Sequence, residues 1–247
     1  GVDAIAFYAV AVHVHVAAER RGLPAVSLCP FPFAPTRELA PLTAPALGSV
    51  LPRALWPTAW RALFRIGFGG FKPFFDAHRA RVGLPADPLP TPFDRANALE
   101  VPIVHLFSEH VLARPRDWPA HAEVAGYALP RTEGYTPPAA LARFFERADP
   151  RPIVYAGFGS MSGHSPEALA RIAAGAAARA EVRLVYATGW GGAAAFDRND
   201  VCVIEEAPHD WLFPRVDAVV HHGGAGTFAA GLAAGKPTVI VPFFADQ

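Results

Sequence analysis

Two cysteines, Cys29 and Cys202, are all the thiol in this 247-residue chain. They lie far apart in apolar, strand-like surroundings. That spacing argues against a disulfide framework and fits buried thiols of a reducing compartment. An excess of charge of one sign is also lacking. Lys plus Arg and Asp plus Glu both number 22, for a net charge of zero. No basic face is implied, which argues against nucleic acid as a partner. No apolar run approaches the roughly 18 to 20 residues needed to span a bilayer. No secretory signal is recognisable. A cytoplasmic location is expected, with peripheral membrane contact left open. Methionine occurs once, and the preference for Ala, Arg and Pro over Lys and Met points to a GC-rich bacterial genome. Internal repeats and low-complexity tracts are absent. So is metal-ligand spacing: no carboxylate or further histidine clusters near His221 and His222, and His13 and His15, two apart on a helix, do not share a face.

What is present is hydrophobic content of 52 %, enough for a substantial core and one large or two modest domains. Asp3 to Tyr8 reads as a strand, Val10 to Arg21 as a helix stopped by Gly22, and Ala25 to Leu28 as a strand. That alternation predicts a parallel α/β sheet. Prolines from Pro30 to Pro57 predict irregular chain. In the aromatic, basic stretch from Trp56 to Ala80, Trp60, Leu63 and Phe64 share a helical face. Val101 to Phe107 reads as another strand. Leu129 to Pro138 reads as a linker, and Thr136 as the cap of a helix that turns Leu141, Phe144 and Phe145 inward. A second domain then begins afresh. Strands are expected at Ile153–Phe158, Val182–Ala187 and Val201–Ile204, with a helix capped by Ser165 running to about Ala180.

Three glycine turns follow strands of this second domain: Gly157–Ser160, Thr188–Gly192 and Gly223–Thr227. Turns after parallel strands share one sheet edge, where α/β folds bind ligands. The last turn lies in DAVVHHGGAGTFAAGLAAGKPTVIVPFFADQ, residues 217–247. An apolar run ends in two histidines, a glycine turn opens a small-residue helix from Thr227 to Ala234, and a strand follows from Thr238 to Phe243. The first turn of such a helix offers unpaired N–H groups and a positive dipole end to an anion. Glycines there let the backbone approach a phosphate closely. His221 and His222 point to opposite faces of their strand, so His221 reads as structural and His222 as the ligand candidate.

The string HHGGAGT, a small-residue helix, GKP and PFFADQ closely resembles the nucleotide-sugar signature of the GT-B glycosyltransferases that use UDP-sugars, nearest the sterol glucosyltransferase and glycopeptide glycosyltransferase groups. A second match is the segment from Phe107 to Tyr127, where Ser108, Arg114, Pro115, Asp117, Trp118 and Pro119 resemble the sterol-glucosyltransferase segment that closes the first domain. The resemblance implies an α/β fold of GT-B type, two Rossmann-like parallel-sheet domains. The expected division is a partial acceptor-binding domain at 1–128, a linker and first helix at 129–150, and a donor-binding domain at 151–247. Gly1 opens in the approach to a strand and Gln247 follows a loop that further chain should continue, so both domains are expected to be truncated.

The resemblance further implies an inverting hexosyltransferase. Phe31, Phe33 and the aromatic 56–75 stretch point to an apolar hydroxyl acceptor such as a sterol, lipid or polyketide, or else that stretch is plain core helix. UDP-sugar or dTDP-sugar would be the co-substrate, with no metal and no other cofactor. His222 and the backbone of Gly224, Ala225, Gly226 and Thr227 would hold the donor diphosphate, and Asp246 and Gln247 the sugar hydroxyls. Ser160 reads either as a turn residue or as a hydroxyl donor to the phosphate or sugar, and the resemblance favours the latter. Trp190, beside Gly189, either shelters the base or acceptor or sits in the core. The backbone from Ala207 through Pro208 and His209 would read the uracil edge. Glu206 stands where plant members carry a base-stacking tryptophan, Ala230 where they carry a ribose-binding glutamate, and Tyr8 where they carry an aspartate orienting the catalytic histidine. The general base is expected upstream of Gly1. Three other readings fit less well. A nucleotide-sugar epimerase of the same architecture is opposed by the ADQ ending. A binding module without chemistry would be told apart by donor hydrolysis. A Rossmann oxidoreductase is opposed because no G-x-G-x-x-G opens a helix at 157 or 223 and no ribose-binding acid follows.

Overall fold

A computed structural model describes residues 1–11, 13–159, 166–189, 196, 198–243 and 247. The chain divides between Ala128 and Leu129 into two units, each with its own sheet.

The first unit holds four parallel strands in the order β1-β2-β3-β4: β1 (Ile5–Tyr8), β2 (Ala25–Cys29), β3 (Ile103–His105) and β4 (Ala122–Val124). Helix α1 (His13–Arg21) connects β1 to β2 and ends at Gly22, whose φ of 64° only glycine adopts freely. A long excursion carries α2 (Leu47–Val50), α3 (Trp56–Gly69), α4 (Lys72–Arg81) and α5 (Pro92–Ala98). The proline-rich stretch is therefore not wholly irregular. Pro57 occupies the first turn of α3, where its missing N–H is harmless. Trp60 is 1 % exposed and donates its indole N–H to the Leu39 carbonyl at 3.0 Å.

Glu19 is the polar tie of this unit. Arg79 grips it bidentately at 2.7 and 3.1 Å, and Arg95 adds a bond of 2.5 Å, joining α1, α4 and α5. Those guanidinium bonds, Arg79 first, hold the Glu19 carboxyl down at about 2.

Strand β4 was not expected from sequence. It is three residues long and follows the RPRDWP run, residues 114–119. Arg114 fixes that segment by donating to the carbonyls of Ala122, Trp118 and Pro119. Asp117 accepts from the Thr36 hydroxyl at 2.5 Å and the Arg37 N–H at 2.8 Å.

The second unit is a five-stranded parallel sheet in the order β7-β6-β5-β8-β9. Its strands are β5 (Ile153–Gly157), β6 (Arg183–Ala187), β7 (Val201–Ile204), β8 (Ala218–His221) and β9 (Thr238–Ile240). Helices α6 (Ala139–Glu146) and α7 (Pro166–Arg179) precede and follow β5. Helix α8 (His209–Leu212) follows β7, and α9 (Ala225–Ala233) links β8 to β9. The sheet is covered on both faces, as parallel sheets require. Tyr155, Val185, Cys202 and Val219 pack with Leu141, Phe144, Leu212 and Phe213 on one side. Ala156, Leu184 and Tyr186 meet the alanine stripe Ala170, Ala174 and Ala177 of α7 on the other.

Three expectations need correction. The cap of α6 is Pro138, with no side-chain bond, rather than Thr136. Pro137 precedes another proline, which disfavours helical backbone at 137 and delays the helix to Ala139. The small-residue helix starts at Ala225 rather than Thr227, because Gly224 already serves as its N-cap. Strand β9 stops at Ile240, short of Pro242, which has no N–H for a ladder. Leu141 and Phe144 are buried and Phe145 packs against the same core. The Ser165 cap lies outside the described residues.

Candidate functional site

Strand β5 is flanked by β6 and β8, with Gly157 beside Ala187 and beside His221. The turns after these strands therefore emerge on one edge. Gly159 (φ 58°), Gly189 (φ 55°) and Gly223 (φ 93°) sit in left-handed backbone. Space as well as torsion demands glycine. A Cβ on Gly189 would lie 2.7 Å from the Gly159 carbonyl oxygen. One on Gly159 would lie 3.3 Å from Cε1 of His222, and one on Gly224 only 2.3 Å from Nε2 of His222. The His222 ring thus occupies a slot between the Gly159 turn and the N-cap of α9.

Within α9 the first i→i−4 bond runs from the Phe228 N–H to the Gly224 carbonyl at 2.9 Å. The N–H groups of Ala225, Gly226 and Thr227 have no partner within the helix. Half-buried His222 stands beside that end, and the arrangement can receive an anion. The Gly223 amide is different: it donates to Nδ1 of His221 at 2.9 Å. His221 is fully buried, and burial first, then His222 and His209, bring its pKa down to about 4.

The segment after β7 joins the same edge, because the Gly189 N–H donates to the Glu205 carbonyl at 3.2 Å. Pro208 is the N-cap of α8. The His209 ring stacks on Phe213 (4.4 Å, 16°) and meets Tyr155 edge-on at 6.0 Å. Burial lowers its pKa. The His209 ring is therefore committed to this packing. The Gln247 Oε1 accepts from the Phe243 N–H at 2.8 Å, and Gln247 lies against Gly223. Gly189, His222, Gly224 and Gln247 are thus brought together around the α9 end. Ser160, Trp190 and Asp246 lie outside the described residues.

The first unit has its own cavity, of about 300 Å³. Phe33, Phe64 and Phe93 form its aromatic wall, with centroids 4.8 to 5.4 Å apart. Ser27, Asn97 and Asp117 add polar atoms. The sequence pointed to Phe33 and the region of α3 but missed α5, which brings Phe93, Ala96 and Asn97. The signal was T-P-F-D: Thr91 accepts from the Asp94 N–H as N-cap, and Pro92 opens the helix. Among the described residues no three His, Cys, Asp or Glu side chains cluster as a metal site. No helix among them is long and apolar enough to cross a membrane.

Two open parallel α/β sheets, one with glycine turns gathered at its strand ends, define a fold of GT-B type. Residues 117–247 match the family model described as UDP-glucoronosyl and UDP-glucosyl transferase, and the chain belongs to that family. Over 150 residues it is 44 % identical to a sterol 3-beta-glucosyltransferase of Arabidopsis thaliana, covering 60 % of this chain and 23 % of that protein. The chain therefore spans about a quarter of that relative's length. The kitacinnamycin glycotransferase superposes with a TM-score of 0.63 at 21 % identity, covering 99 % of this chain and 59 % of the other. The UGT89C1 of Arabidopsis thaliana, solved in complex with UDP, gives 0.61 at 16 % identity, covering 99 % and 52 %. At such identities the two structures speak for the fold alone.

Proposed function

We propose that this chain carries the donor site of an inverting hexosyltransferase and that its first unit contributes to the acceptor site. Sugar would pass from a UDP- or dTDP-sugar to a hydroxyl of an apolar acceptor such as a sterol, lipid or polyketide. One observation carries the reading: the His222 ring is held in a slot that only glycines permit, against the N-cap of α9. As the glycosidic bond to the diphosphate breaks, negative charge grows on the leaving oxygen. His222 and the Ala225, Gly226 and Thr227 amides would stabilise it, and no metal would then be needed. Asp246 and Gln247 would bind the sugar, and the 207–209 backbone the base. The aromatic cavity of the first unit suits a rigid apolar acceptor, being within the usual size range of small-molecule sites. No residue described here is assigned as the base that deprotonates the acceptor.

The test is calorimetry with UDP and uridine, then a transfer assay with UDP-glucose and a sterol. UDP should bind and uridine should bind far more weakly, because the diphosphate is the recognised part. Equal affinity for the two, or none for UDP, sinks the donor-site reading.

A further inference from the structure

Resting on that donor-site reading, we infer that His221 is the positioning residue of the anion turn. It would not touch the donor. It would act through the Gly223 amide, which it holds so that His222 and the α9 end stay in place.

The His221 ring is fully buried at the end of β8. Its Nδ1 accepts from the Gly223 N–H at 2.9 Å. The proton of the neutral ring must then sit on Nε2, which is buried and has no hydrogen-bond partner among the described residues. An apolar side chain would avoid leaving that N–H bare. The bond to Gly223 gives the imidazole a purpose that packing alone does not. Gly223 has φ 93°, and a Cβ there would lie 2.9 Å from both the Gln247 carbonyl oxygen and Ile240 Cγ2. The turn is therefore tight, and the next residue is the N-cap Gly224, where an added Cβ would strike the His222 ring. Tying the Gly223 N–H inward leaves the amides of Ala225, Gly226 and Thr227 as those offered outward. A neutral ring is required, because protonated Nδ1 could not accept; burial, His222 and His209 all favour that form.

A side-chain acceptor taking the N–H two residues on is the geometry of an Asx turn. Asparagine at 221 can reproduce it, and phenylalanine, which keeps the aromatic volume, cannot. The experiment compares His221→Asn and His221→Phe in this chain by UDP calorimetry, thermal melting and amide exchange at Gly223. Positioning predicts that Asn keeps UDP affinity within about threefold and that Phe loses roughly tenfold while still melting cooperatively. A merely packed histidine predicts the reverse order, and that order overturns the inference. So does unchanged Gly223 exchange in the Phe variant. A wild-type chain that binds no UDP would topple the donor-site reading instead. The Gly223 amide would still report the turn: protection in wild type and Asn, lost in Phe, upholds the role of His221.

Discussion

The His222 slot makes an unusual demand on one neighbour. Gly224 has φ −59° and ψ 137°, which alanine adopts without strain, yet the added methyl would lie 2.3 Å from Nε2 of His222. Gly224→Ala should therefore leave the fold nearly intact and push the ring out of place. His222→Ala should weaken UDP binding by roughly 1.5 to 3 kcal/mol, the usual worth of a hydrogen bond to a charged group. Gly224→Ala should lose a similar amount, and the double variant little more than either single one, because both remove the same contact. Calorimetry on the three variants checks this; additive losses would mean that Gly224→Ala acts independently of the His222 ring, and an unchanged affinity in His222→Ala would place the ring outside the phosphate contact. Gln247 makes a second residue-scale case. Its Oε1 is committed to the Phe243 N–H, so the carboxamide is oriented by the backbone. Gln247→Ala should depress transfer from a UDP-sugar far more than binding of UDP, which lacks the sugar hydroxyls. Equal losses for both ligands would make the residue a support of the turn.

At the scale of elements, His105 joins three pieces of the first unit. It sits at the end of β3, its Nε2 accepts from the Phe33 N–H at 3.3 Å, its Nδ1 lies 3.2 Å from the Glu123 carbonyl of β4, and its ring stacks on Trp118 at 4.1 Å. Burial lowers its pKa from 6.5 to about 4, helped by Arg114 and opposed by the Glu123 carbonyl. Above pH 6.5 the ring is neutral in folded and unfolded chains alike. Between 6.5 and about 4 the unfolded chain takes up a proton that the folded one refuses, so stability falls with pH, by at most about 1.4 kcal/mol per unit. His221 adds the same dependence to the second unit. Denaturation curves of His105→Asn against wild type from pH 7 to 4.5 should show a variant less stable at pH 7 but with a shallower decline. Parallel declines would mean that His105 takes up its proton alike in both states. None of this was legible in sequence, where 101–107 showed only a strand, because stacking and burial depend on partners far along the chain. What sequence did show was punctuation. The span of β7 was read to the residue, since Val201–Ile204 is bounded by turn and acidic residues. The glycine turns were placed at the correct strand ends, because left-handed backbone and close contacts leave few other residue choices. Strand β4 and helix α8 were invisible, being three and four residues long and fixed by Arg114 and by the Phe213 stack.

At the scale of the whole molecule, each unit has its own sheet and packed core, and the proposed function assigns one binding site to each. Filling one should leave the other's affinity alone. Ala96 lines the cavity of the first unit from helix α5, beside Phe93 and Asn97, and is only partly buried. Ala96→Phe places an aromatic ring in a space of about 300 Å³ without entering a tight core position. If the cavity seats the acceptor, the variant should bind UDP as wild type does and melt within a few degrees of it, while binding of an apolar acceptor such as a sterol falls severalfold or more. Transfer assays on the same variant should show a raised acceptor KM with an unaltered UDP-sugar KM. His222→Ala should show the opposite pattern, weak for UDP and unchanged for the acceptor. The crossed pair is what gives the test its force. A fold defect from either change would depress both affinities together, and only two separate sites produce opposite selectivity. Unchanged acceptor binding in Ala96→Phe, with UDP binding also intact, would remove this cavity from the acceptor path.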